Sequence, residues 1–134
     1  MLKNLAIAAL LSVPFVGAAN ADDLVTSIDT EAAILTMVNV LTPNDGDQDA
    51  LVAQLQRALE VDLLDEPGFI SGNVHRSLDS EHVVNYAQWQ DQASLEAFVA
   101  KLQAGGAPDM AQVCTIATPD FHPFAVVSVH APTN

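Results

Sequence analysis

The sequence predicts a single α+β domain in which helices cover one face of a four-stranded antiparallel sheet. Its length of 134 residues suits one domain. Half of the residues are apolar, which is enough for a packed core despite a formal net charge of −13. Segments of strand-like and helix-like pattern follow each other in the order β-α-β-β-α-β. That order is typical of the ferredoxin-like fold.

The N-terminal segment, residues 1–21, has the three parts of an export signal. Lys3 gives a positive start, Leu5–Val16 is a short apolar run, and Ala19-Asn20-Ala21 is a small-x-small cleavage site. Because the apolar run is shorter than the ~20 residues that span a bilayer, we expect cleavage near Ala21. The mature chain is then periplasmic or secreted.

Acidic residues dominate the chain that follows this signal. It carries 17 acidic residues against three basic ones. Binding to a nucleic acid or to an anionic membrane depends on clustered lysine and arginine. The composition therefore predicts that neither is a partner once the signal is removed. It also favours a neutral over an anionic substrate.

The first half of the mature chain predicts an arm, a strand and a helix. Residues 22–31 are polar and form an N-terminal arm, and the folded domain covers 32–131. Ala32–Leu41 is rich in β-formers and predicts a strand. Asp47–Leu64 predicts an amphipathic helix, since its leucines fall on one stripe. They recur at every fourth position: Leu51, Leu55, Leu59 and Leu63.

The second half predicts a hairpin, a helix and a last strand. Phe69–Ser77 and His82–Trp89 alternate in polarity and are separated by a short polar loop, as in a β-hairpin. Ser94–Gln103 predicts a helix, 109–118 a further helical turn, and Phe124–His130 the last strand. One face of this sheet lacks helices, so we expect a second copy to cover it in a homodimer.

Few sequence motifs indicate chemistry. The single cysteine, Cys114, excludes an intrachain disulfide. Glycine-rich phosphate loops and the GxSxG nucleophile motif are absent. The four histidines stand at scattered positions without the spacing of a zinc site. The sequence therefore predicts no metal site.

The most informative segment is the third strand, Val83–Trp89, which holds an amide among apolar residues. Asn85 and Trp89 share one face of the strand, whereas Tyr86 lies on the other. Burying an amide is costly unless it has a hydrogen-bond partner. Two interpretations stay open. Asn85 and Trp89 either pack in the core, which composition alone favours, or form a pocket with a flat wall and a polar group.

Two motifs resemble the antibiotic biosynthesis monooxygenase family. They are Glu66-Pro67-Gly68-Phe69 and Val84–Trp89, with His75 between them. The resemblance covers Ala32 to His130 and implies a ferredoxin-like, dimeric α/β barrel. It also implies oxidation of a small anthrone- or quinol-type aromatic by O2 to a quinone, without a cofactor. Candidate catalytic residues are Asn85, Trp89 and His75, and candidate substrate-binding residues are Asn39, Arg76, Tyr86 and Phe98.

The chain departs from this family at two positions. Val74 and Leu95 stand where quinone-forming members carry tyrosines, so His75 is the remaining candidate for proton transfer and Arg76 for anion binding. Haem-degrading members of the superfamily match at Asn39 and Trp89, but the second helix here has no histidine. Haem degradation and a non-catalytic module that binds an aromatic or haem-like ligand stay open as alternatives.

Overall fold

A computed structural model describes residues 24–133, so the predicted export signal lies outside the described residues. No helix in this described part is long and apolar enough to cross a membrane. The elements follow in chain order: β1 Leu35–Pro43, α1 Gln48–Ala58 with a π-helical turn Leu59–Leu63, β2 Phe69–Arg76, β3 Val83–Trp89, α2 Gln92–Gln103, α3 Pro108–Ile116 and β4 Ala117–Ala125.

The four strands form one antiparallel sheet in the order β2-β3-β1-β4. The predicted α+β ferredoxin-like fold is thereby confirmed. Asn39 in β1 lies directly opposite Asn85 in β3 and opposite Phe121 in β4. The odd-numbered residues of β1, β3 and β4 face the helices, so Asn39 and Asn85 are two neighbouring amides on the helix-covered face of the sheet.

The first helix begins as the sequence predicts and ends in a wider turn. The Asp47 carboxylate accepts a hydrogen bond from the Ala50 N–H at 2.9 Å and caps α1. At Leu59 the helix opens into the π turn. A Cβ on Gly72 of β2 would lie 2.7 Å from Leu59 Cδ2. Glycine at position 72 therefore lets this turn rest directly on the sheet.

The last strand is the one predicted element in the wrong place. The prediction was Phe124–His130, but β4 is Ala117–Ala125 and residues 126–133 have no regular structure. Pro119 and Pro123 both lie within β4. Proline is tolerated there because β4 is an edge strand. The two prolines are four residues apart, so both missing N–H groups lie on the same side of the strand.

The polar arm lies against the sheet face that the helices leave open. The Thr26 hydroxyl donates to Asn73 Oδ1 at 2.9 Å, and the Gln88 amide donates to the Ser27 carbonyl at 2.9 Å. This end of the open face is thereby covered, and Thr36 there is only 3% exposed. The predicted arm thus packs on β2 and β3 from Thr26 onward.

Candidate functional site

A cavity of about 110 Å³ lies between the helix-covered face of the sheet and the three helices. It is lined by Met37, Asn39, Leu41, Leu55, Leu63, Phe69, Asn85, Ala87, Trp89, Leu95, Phe98, Val99, Leu102, Met110, Val113, Cys114, Pro119 and Phe121. Three of these residues, Cys114, Pro119 and Phe121, are also solvent-exposed. They mark the mouth of the cavity, between α3 and β4.

The cavity's polar groups are two asparagines that face each other across the central strands. Asn39 and Asn85 are direct cross-strand partners, and Asn85 is only 3% exposed. Both Oδ1 atoms are buried and neither has a hydrogen-bond partner in the described residues. An unpartnered buried amide costs ~1–3 kcal/mol. The cavity beside them leaves space for a water molecule or a ligand that donates a hydrogen bond to these oxygens.

Trp89 forms one wall of the cavity. Its ring packs edge-on against Phe69, with ring centroids 5.3 Å apart, and at a tilt against Phe98 at 5.6 Å. The indole Nε1–H is buried and has no acceptor among residues 24–133. Two aromatic neighbours hold the indole in place, so it offers a rigid flat surface and a free donor to a bound ring.

The cavity is lined almost entirely by side chains that do not ionise. Cys114 is the one titratable side chain among its lining residues. Burial raises the pKa of the Cys114 thiol above its ordinary value of 9.0, so the thiol is protonated at neutral pH. No carboxylate, imidazole or lysine side chain among residues 24–133 lines this space. An acid–base step inside it must therefore draw on the ligand's own acidity.

Four of the seven residues singled out from the sequence come together here: Asn39, Asn85, Trp89 and Phe98. The other three do not line the cavity. His75 and Tyr86 pair with Val84 and Asn73, and strand alternation places both on the opposite sheet face. Arg76 has the right parity, but its guanidinium forms an exposed ion pair with Asp49 at 2.8 Å.

Sequence reasoning missed the part of the wall that α3 and β4 supply. Pro108 at the first turn of α3, followed by Met110 and Val113, is a helix-start pattern with apolar spacing. That pattern was a usable signal for two lining residues. No sequence pattern indicated that Phe121 lines the cavity, because its inward orientation depends on the register of β4 against β1.

Polar contacts from α1 and the π turn hold α3 over the cavity. The Arg57 Nε–H donates to the Asp109 carboxylate at 2.7 Å, and the Gln54 amide donates to the Asp109 carbonyl at 2.9 Å. Asp62 accepts from the Met110 N–H at 2.8 Å, where a carboxylate also suits the helix dipole. The helix that carries Cys114 is thus fixed at its N-terminal end.

The fold, the motifs and the cavity agree with a comparison against protein families. The model of the family described as antibiotic biosynthesis monooxygenase matches residues 34–105, more than half of the chain. The chain belongs to this family. Its sequence is 36% identical over 74 residues to tetracenomycin-F1 monooxygenase of Streptomyces glaucescens. The match covers 55% of this chain and 66%, just under two thirds, of that enzyme.

Solved structures of low sequence identity share the fold. SnoaB, a cofactor-independent oxygenase from Streptomyces nogalater, superposes with a TM-score of 0.63 at 22% identity, covering 72% of this chain and 96% of SnoaB. A monooxygenase of Streptomyces coelicolor in complex with the ligand nanaomycin D has a TM-score of 0.58 at 20% identity. That match covers 77% of this chain and 96% of the other.

The haem alternative does not fit this site. None of the four histidines lines the cavity, and the residues 24–133 contain no cluster of three or more metal-binding side chains. His122 lies on the open sheet face, where its Nε2 contacts Asp120 at 2.9 Å. A cavity of about 110 Å³ is also far too small for a porphyrin.

Proposed function

We propose that this protein is a cofactor-independent monooxygenase that uses O2 to oxidise a small, neutral aromatic of the anthrone or quinol type to a quinone. The observation that carries the proposal is the pair of cavity-lining asparagines, Asn39 and Asn85, whose Oδ1 atoms are buried without a partner in the described residues, in a largely apolar cavity beside the Trp89 ring. The family membership and the monooxygenases among its relatives support the same reaction class.

The two amides suit a substrate that becomes an anion as it reacts. When an anthrone-type carbon acid or a phenol ionises, charge collects on its oxygen. The NH2 groups of Asn39 and Asn85 can donate to that oxygen, because a side-chain amide offers two donors as well as an acceptor. Fixed donors in a water-poor site stabilise such an oxyanion and lower the cost of forming it.

The substrate anion is itself the electron donor. In the anthrone case a CH2 group and O2 give a carbonyl and water: one oxygen atom stays on the carbon, and the other leaves with both hydrogens. The reducing electrons come from the two C–H bonds that are lost. The protein's part is to bind the ring against Trp89, hold the oxygen at the asparagines and exclude water.

The dimensions of the cavity favour a small ring system. Its volume of about 110 Å³ is close to the ~150 Å³ of an apolar cavity that accepts benzene. One ring therefore fits near Trp89, and a second or third ring would extend toward the mouth at Phe121. We accordingly favour two-ring phenols such as naphthols over large polycyclic substrates. In a naphthol one ring C–H becomes a carbonyl, and the second oxygen atom leaves as water with the ring and hydroxyl hydrogens. A hydroquinone would lose only its two O–H hydrogens and give a quinone and H2O2, which is an oxidase reaction.

Oxygen uptake tests the proposal directly. A panel of hydroquinones, naphthols and anthrones is supplied to the protein in chelator-treated buffer, and O2 consumption is followed together with the quinone absorbance. We expect turnover that Asn85→Ala lowers by about 10²–10³-fold, the usual loss on removing one oxyanion donor. Saturable binding of these compounds without O2 uptake would instead identify a non-catalytic binding module.

We also propose that the protein is exported and works as a homodimer. The open sheet face carries the half-buried Val38, Val40 and Val84, and exposed Phe124 lies at its edge. Such an apolar surface is suited to sheet-on-sheet packing with a second copy. Light scattering tests the dimer, and N-terminal sequencing of the protein from the producing cell tests cleavage near Ala21.

A further inference from the structure

Cys114 lies at the mouth of the cavity, beside the exposed lining residues Pro119 and Phe121. It lies on α3, lines the cavity, and is exposed to solvent on its other side. It is the single cysteine of the chain. Its thiol is also the one nucleophilic and titratable group among the lining residues. A reactive electrophile bound in this cavity would therefore meet one protein nucleophile.

An independent observation indicates that the same cavity binds a polar aromatic. The Asn85 amide is buried, lines the cavity and has an unpartnered oxygen, and the buried Trp89 indole has an unpartnered N–H. A quinone offers two carbonyl oxygens on a flat ring, and these can accept hydrogen bonds from the Trp89 indole N–H or from the Asn85 side-chain NH2. Quinones are also electrophilic at their unsubstituted ring carbons. The proposed product is thus a thiol-reactive molecule held next to a thiol.

We propose that Cys114 is a covalent capture site for quinones bound in the cavity, an inference that rests on the proposed function for its native ligand. The sulfur adds to an unsubstituted ring carbon next to a carbonyl, forming a C–S bond as the ring C=C bond breaks. The thiol proton and the displaced ring hydrogen end on the two quinone oxygens. The product is a hydroquinone thioether. The quinone is reduced internally, so the step needs no other oxidant or reductant.

Such an adduct would close the cavity. The thioether fixes the ring at the mouth, between α3 and β4, where Phe121 forms the opposite rim. Turnover would then decline as quinone accumulates, without loss of fold. Because burial raises the pKa of the Cys114 thiol, capture depends on prior binding of the quinone rather than on a thiolate of high general reactivity.

The kinetics of modification separate capture from ordinary labelling of an exposed thiol. The full-length protein is treated without O2 with 1,4-naphthoquinone or with iodoacetamide, and adducts are counted by intact-protein mass. We expect the naphthoquinone rate to saturate with concentration and the iodoacetamide rate to stay linear. We also expect iodoacetamide to react more slowly with the native than with the urea-unfolded protein, because burial raises the pKa of the Cys114 thiol and lowers its thiolate fraction.

Two variants provide matched controls. Gln112→Cys in a Cys114→Ser background moves the thiol to an exposed position of α3 that does not line the cavity, so its naphthoquinone rate should be linear. Asn85→Leu keeps the thiol but removes the amide, so saturation should weaken while the iodoacetamide rate is unchanged. A linear naphthoquinone rate at Cys114, equal to that at position 112, would overturn the proposal.

The two proposals fail in different ways. The modification assay supplies the quinone and needs no O2, so saturable capture without O2 uptake would refute the monooxygenase alone. Turnover that is accompanied by linear, unsaturated labelling of Cys114 would refute the capture site alone.

Discussion

Replacing Asn85 with leucine should make the protein more stable and inactive at the same time. The Asn85 Oδ1 is buried without a hydrogen-bond partner and borders the cavity. A residue retained for ligand binding, rather than for packing, reduces the stability of the ligand-free protein. Leucine removes the unpartnered amide and places its larger apolar side chain against empty space.

The expected gain follows from two terms. Removing the unpartnered buried amide relieves ~1–3 kcal/mol. Each additional buried CH2 group contributes about 0.8 kcal/mol, and the adjoining cavity of about 110 Å³ limits overpacking. We expect the free energy of unfolding to rise by roughly 2 kcal/mol, or Tm by about 8 °C for a domain of this size. Activity should fall by about 10²–10³-fold, because the oxyanion donor is lost.

Asn73 on the neighbouring strand is the matched control. Its Nδ2 donates to the Tyr86 carbonyl at 3.0 Å, and its Oδ1 accepts from the Thr26 hydroxyl at 2.9 Å. Asn73→Leu breaks both hydrogen bonds on the far side of the sheet, so it should lower the free energy of unfolding by about 1–3 kcal/mol. Urea unfolding of the two variants and the parent protein measures both effects.

The opposite sign for Asn85→Leu would refute the reasoning. A loss of stability similar to that of Asn73→Leu would mean that the Asn85 amide is satisfied within the protein. The asparagine would then be part of the packing, which is the interpretation that composition alone favours.

Three further predictions concern the backbone and the role of pH. Gly68→Ala should lower the free energy of unfolding by about 2–4 kcal/mol, because φ at Gly68 is +82° and the new Cβ would collide with the Ser94 side chain. Gly46→Ala is the control: φ there is +77° but the space around it is open, so the loss should be only ~1–2 kcal/mol. Urea unfolding measures both. The Ser94 N–H donates a hydrogen bond to the Asp91 carboxylate and lowers the pKa of that carboxyl in the folded protein. The stability that this hydrogen bond contributes is therefore present above pH 3.8, the ordinary pKa, and is lost as the pH falls through the lower pKa of the folded protein. Asp91→Asn should therefore lower Tm at pH 7, and the difference from the parent should shrink in thermal melts at and below pH 3.8. In the oxidation assay, the midpoint of the pH–rate profile should move with the pKa of the substrate when phenols of different acidity are compared, since the lining residues offer no acid or base near neutrality.

Local pattern predicted those parts of the fold and site that depend on neighbours in sequence. Six elements, with α1 counted together with its π turn, lie within three residues of their predicted bounds. The reason is that period-2 and period-3.6 patterns record which face of a segment is buried. Alternation along β3 likewise placed Asn85 and Trp89 on one face. The same alternation placed Tyr86 on the other face, where the structure has it.

The parts that depend on register could not be predicted in this way. Asn39 lies opposite Asn85 because β1 and β3 pair at that position, and a shift of one residue would turn either amide away from the cavity. The Phe124–His130 prediction failed for a related reason. Alternating valines are typical of a strand, but β1 pairs instead with the proline-containing segment just before them.

The acidity of the chain and the neutrality of its cavity follow from one requirement. The chain carries 17 acidic residues, yet none of those within residues 24–133 lines the cavity. A carboxylate in that space would repel a substrate anion at short range, where water does not screen the charge. Surface carboxylates act through solvent and weaken beyond a Debye length of ~10 Å at 0.1 M salt. A neutral aromatic can therefore enter past an acidic surface and form its anion inside, where the nearest polar groups are uncharged amides.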